Sequence, residues 1–191
     1  MKTKIIMAVV VLLTLLHLVA IRLTSKTAKQ GQDSIAKVDS IVPVQRNILG
    51  IELSKTTFAE AMTVCAKNAW DYEPIQNGQD NVIDIDTPID FGGEFWTSTS
   101  VFFYKYKAYM ISFWDMNCSH TKEQEAKRFQ AISRLLKKKY PKAKINAKNT
   151  ALTYTDGTYY INLEIDEYGR GLMLTYGIDS KKLDKVIGSD L

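Results

Sequence analysis

The chain has 191 residues, 46% of them apolar and 24% charged, with 25 Lys and Arg against 21 Asp and Glu. That balance is ordinary for a globular protein and excludes a disordered or collagen-like chain. The excess of base lies near the N-terminus, since residues 47–191 hold 18 basic and 19 acidic side chains; without a basic footprint in the domain, nucleic-acid binding is excluded as well.

Residues 1–25 read as a signal peptide or N-terminal membrane anchor. Lys2 and Lys4 precede an apolar run, residues 5–21, interrupted only by Thr14 and His17. A positive start followed by an apolar core is the pattern of an export signal, and 17 residues is the short limit for a span. Export to the periplasm or cell surface is therefore expected, with the leader either cleaved or kept as an anchor. Membrane contact is expected only through this segment. Residues 26–46 are polar and without period, and read as a linker. Residues 47–191 read as a single α+β domain.

Within that domain, Ser54 is the expected cap of a helix over 57–67, in which Phe58, Ala61, Met62 and Cys65 share one face. Residues 70–90 read as two strands about Asn77-Gly78, and Gly92-Gly93 as a corner. Strands over 94–104 and 108–116 form a hairpin around Lys105-Tyr106-Lys107. A capping box of Thr121 and Gln124 opens a helix over 121–140. Its stripe is Ala126, Phe129, Ile132, Leu136 and Tyr140, with Leu135 beside it, and Pro141 ends it. Asp156-Gly157 between two β-type runs predicts a further hairpin. A third strand over the LMLTYG run and a short helix over 179–187 follow. The expected order is α-β-β-β-β-α-β-β-β-α: an antiparallel sheet packed on one face by the helix at 121–140.

The aromatic strands carry rings on both faces. By parity, Phe95, Thr97, Thr99, Val101 and Phe103 join Tyr109, Ile111 and Phe113 as the floor beneath the helix. The other side presents Glu94, Trp96, Ser98, Ser100, Phe102 and Tyr104 with Met110, Ser112 and Trp114. Rings interleaved with hydroxyls suit a partner-binding surface. The competing reading is that the first helix or the N-terminal arm covers this side. Along the later hairpin, Tyr160, Asn162 and Glu164 alternate with Tyr159, Ile161 and Leu163.

Cys65 and Cys118 are a candidate disulfide in an oxidising compartment, or two separate buried thiols. No cofactor or metal set is expected. His120 is the one histidine outside the leader, and Cys118 with His120 cannot close a zinc site. Asp80, Asp84, Asp86 and Asp90 lack calcium-loop spacing.

Four runs, Gly50-Ile51-x-Leu53-Ser54-Lys55, Phe91-Gly92-Gly93, Lys138-Lys139-Tyr140-Pro141 and Leu174-x-Tyr176, resemble small exported proteins of the Bacteroides and Prevotella group, over most of residues 47–191. The order of helices and strands is similar to that of β-lactamase-inhibitor-protein-like domains, and this likeness implies an open sheet that binds other proteins. The expected function is an exported, non-catalytic envelope protein binding a protein or glycan partner through Trp96, Ser98, Ser100, Phe102, Tyr104, Ser112 and Trp114. The alternatives are an enzyme acting on envelope material through dispersed carboxylates, and a structural membrane-tethered module.

Overall fold

The computed structural model describes residues 40–77, 80–115, 120–166 and 171–188. The leader and Cys118 lie outside them. Among the described residues, no helix is long and apolar enough to cross a membrane. The element order is β1 (Asn47–Ile48), β2 (Ile51–Glu52), α1 (Phe58–Lys67), β3 (Tyr72–Asn77), β4 (Asp80–Ile85), β5 (Ile89–Phe91), β6 (Glu94–Trp96), β7 (Ser98–Tyr104) and β8 (Lys107–Asp115), then α2 (Lys122–Lys139), β9 (Lys144–Ile145), β10 (Ala151–Thr155), β11 (Tyr159–Ile165), β12 (Leu172–Ile178), a 3-10 turn Ser180–Lys182 and α3 (Leu183–Ile187).

Eight strands form one sheet in the order β3-β4-β7-β8-β12-β11-β10-β9, antiparallel throughout. This is the expected α+β fold. Its two halves have the same plan. In each, a helix is followed by four sheet strands that run from the edge inward, and the last strands, β8 and β12, pair at the centre. An antiparallel central pair with mirrored order amounts to an approximate two-fold axis normal to the sheet. The β1-β2 and β5-β6 pairs are separate two-stranded sheets.

One face holds the core. Ile83, Ile85, Val101, Phe103, Ile111, Phe113, Leu152, Ile161, Leu163, Leu172 and Leu174 are all buried there, and each such side chain contributes about 1.5–3 kcal/mol by leaving water. Phe58 of α1 meets Phe103 edge-on at 5.1 Å. Phe91 of β5 stacks on Phe113 at 4.5 Å, so the β5-β6 hairpin roofs the central strands. The α2 stripe buries Phe129, Ile132 and Leu136, with Tyr140 beyond its end, while Leu135 stays exposed. The N-terminal arm joins the same layer: Val44, Ile48, Ile51 and Leu53 are buried, and the Tyr154 hydroxyl donates to the Val42 carbonyl at 2.6 Å. Helices α1 and α2, the arm and the small hairpins therefore lie on one side of the sheet, while α3 packs at its end, where Asp184 meets Tyr104 and Lys105.

Four local expectations are corrected. The cap of α1 is Thr57, reciprocally bonded with Glu60; Ser54 sits three residues earlier at φ +70° in a turn. The strand expected over 94–104 breaks at Thr97, whose N–H and hydroxyl both donate to the Trp114 carbonyl, at 2.9 and 3.0 Å. Residues 94–96 consequently leave the main sheet and pair with β5. The parity carried across the break is therefore wrong for Trp96, which is fully buried. Phe95, assigned to the floor, is instead exposed. Finally, the register shifts between Phe102 and Phe103, so Tyr109 is the extra residue of a bulge. It turns from the floor towards the other face, where its ring lies 6.4 Å from that of Phe102.

Candidate functional site

On the face opposite α1 and α2, the register arranges the side chains in rows across the strands. One row pairs Glu73, Asp84, Ser100, Ser112, Thr175, Asn162, Thr153 and Lys144 in succession from edge to edge. It starts acidic, passes through hydroxyls and an amide, and ends basic. The Ser100 hydroxyl donates to Asp84 at 2.6 Å, and the Ser112 and Thr175 hydroxyls lie 3.1 Å apart.

Apolar rows flank it on both sides. On one side run Ile75, Val82, Phe102, Met110, Gly177 and Tyr160. A Cβ on Gly177 would stand 2.7 Å from the Tyr160 ring, so only glycine lets that ring lie flat across β12. The Tyr160 hydroxyl thereby reaches the Met110 sulfur at 3.2 Å. On the other side lie Ser98, Trp114, Met173 and Glu164. Phe102, Tyr109, Met110, Trp114, Tyr160 and Met173 are all half-buried, and Tyr109 also packs against the buried cluster.

Two open depressions of this surface are lined by described residues. One, about 320 Å³, is bordered by Asp84, Asp86, Ser98, Ser100 and Trp114. The other, about 800 Å³, lies over the second half between Lys142, Lys144, Thr153, Thr155, Asn162 and Glu164.

Of the residues expected to form a partner surface, Ser98, Ser100, Phe102 and Trp114 are half-buried on the open face. Ser112 is there too but sunk to 2% exposure. Tyr104 lies at the end of the sheet, where its hydroxyl donates to Asp184 at 2.8 Å. Trp96 belongs to the core: its indole N–H donates to the Phe91 carbonyl at 3.0 Å. The site residues missed were Tyr160, Asn162, Glu164, Met173 and Thr175 from the second half. The alternation along β11 already placed the first three on one side; the pairing of β12 with β8 brings them beside Trp114.

A second cluster surrounds Arg128 on α2. Its guanidinium bonds to Asp115 at the end of β8, to Glu125 at 3.1 Å and to Glu94 of β6 at 3.2 Å. His120 Nδ1 lies 2.5 Å from Glu125 Oε1. The Glu125 side chain is fully buried and that of Asp115 is 5% exposed. Burial alone would depress the Arg128 pKa, but the hydrogen bond and charge of Asp115, then Glu125 and Glu94, outweigh it and hold the guanidinium above its ordinary value. Asp115, His120 and Glu125 have the makings of a ligand set, with ligating atoms within 4.8 Å of one another. Arg128 Nη1 stands among all three and supplies the positive charge itself. The cluster therefore reads as a clamp fastening α2 and β6 to the end of β8.

The buried thiol of Cys65 faces inward from α1, and burial pushes its pKa up to about 11. No protein family matches the chain, and neither a curated protein nor a solved structure matches it.

Proposed function

We propose that this is an exported, non-catalytic envelope protein that binds a protein or glycan partner through the open sheet face. One observation carries the reading: six large apolar side chains stand half-buried on the face opposite α1, α2, the arm and the β5-β6 hairpin. Contiguous apolar surface of that kind is uncommon on a protein without a partner. The interleaved hydroxyls, carboxylates and amide give such a surface its specificity. The leader pattern of residues 1–25 supports export. An enzyme acting on envelope material is less well supported, because the tight carboxylate cluster among the described residues, Glu94, Asp115 and Glu125, converges on Arg128.

The test is a pull-down from an envelope fraction with the parent chain and with Phe102→Ala/Trp114→Ala. Trp96 is left intact, since its loss would perturb the core. The reading expects a specific companion that disappears with the double variant while circular dichroism is unchanged. Retention of the same companion at the same level refutes it, as does recovery of nothing by a chain that is also monomeric.

A further inference from the structure

We propose that the open face is occupied by a second copy of this chain, packed sheet to sheet about a two-fold axis parallel to the strands. The proposal rests on the sheet-face reading above and names its partner.

The pattern of the face selects this arrangement. A two-fold axis running along the strands between β8 and β12 sets each half of one sheet over the other half of its copy. Glu73, at the acidic end of the polar row, then faces Lys144 at the basic end. The same rotation lays Phe102 over Tyr160, and Trp114 over Met173. Those contacts are an aromatic pair and a sulfur–ring pair, both favourable geometries. A two-fold axis across the strands would instead set Glu73 and Asp84 over their own copies, opposing like charges. The face is thus self-complementary in one of the two orientations, as an isologous interface requires. Strands that remain parallel between layers match the aligned packing of β-sandwiches.

Size agrees. The seven strands from β3 to β10 make six spacings of about 4.8 Å, and strands of six residues run about 20 Å, a projected face of roughly 600 Å². Corrugation by side chains brings the accessible area near the ~800 Å² per partner of a standard interface.

The experiment is sedimentation of the chain in the form the cell exports, across micromolar concentrations. The expected result is a species of twice the chain mass, with Trp114→Ala dimerising about thirtyfold more weakly and keeping its circular dichroism. A second measurement holds if that variant misfolds. Asp84→Cys and Thr153→Cys are combined in a Cys118→Ser background and treated with a bis-maleimide of about 10 Å, the spacing of stacked sheets. Within one chain these positions are five strand spacings, ~24 Å, apart, so only a dimer is joined. A monomer at every concentration, or a dimer that the linker fails to join, overturns the inference. A monomer whose Phe102→Ala/Trp114→Ala variant still loses a specific envelope companion overturns the second copy as occupant and leaves the sheet-face reading standing. A monomer with an empty pull-down overturns both.

Discussion

Replacing Arg128 with methionine tests whether the carboxylate cluster is a clamp. The substitution keeps the side-chain stem and removes the charge. It leaves Glu125 fully buried and Asp115 almost so, each without the guanidinium that bonds it. Breaking a buried pair from one side costs about 3–5 kcal/mol, because the surviving charge stays out of water uncompensated. For a domain of this size that corresponds to a fall in Tm of roughly 6–20 °C. Urea unfolding followed by tryptophan fluorescence reports it, with Trp96 as a buried probe, and the slope of the transition should not change. Adding Asp115→Asn and Glu125→Gln to the same chain removes the orphaned charges and should recover at least half of the loss. A cost below about 1 kcal/mol, the range of exposed pairs, would show that these charges are solvated. A full loss that the neutralised triple variant does not recover would show that Arg128 acts by packing alone.

Asp156 ties the N-terminal arm to the β10-β11 turn, accepting from the N–H groups of Val44, Thr158 and Tyr159 at 2.9, 3.0 and 2.8 Å. Burial opposes its ionisation, but those three bonds and the charge of Arg46 outweigh it and hold the carboxyl below the usual range. A lowered folded pKa means stability that is present above the unfolded value, near 3.9, and lost as pH falls through the folded one. Asp156→Asn is expected to cost about 1.5–3 kcal/mol at pH 7 and to show less acid sensitivity than the parent; identical acid limbs in thermal melts would contradict this. With its thiol raised to about 11 and buried, Cys65 is expected to resist iodoacetamide at pH 8 until the chain unfolds, which peptide mapping by mass spectrometry reads directly.

How much of this was legible depended on the range of the interactions that decide it. Helix α2 was readable because its start is local: Thr121 and Gln124 exchange bonds within four residues. The fold class followed from alternation and turn residues. Trp96 was misplaced because parity holds only while a strand stays in one sheet, and the break at Thr97 is made by a carbonyl 17 positions away. Tyr109 was misplaced by a single bulge, which no composition signal marks. The open face itself was half visible, since β7 and β8 are neighbours in the chain. Its other half required the pairing of β8 with β12, a contact across more than fifty residues. The Arg128 clamp draws on β6, β8, His120 and α2, so only its Glu125 neighbour lay within local reach.

The central seam has a consequence for how the chain is made. Strand β8 is complete long before β12 emerges, and no strand of the first half is available to pair its free side. A nascent chain delivered N-terminus first therefore carries an unsatisfied row of amides and carbonyls on β8, of the kind that templates aggregation. Until the last strand arrives the barrier is one of loop closure, and a holdase that shields that edge during synthesis would raise the yield without touching the finished fold.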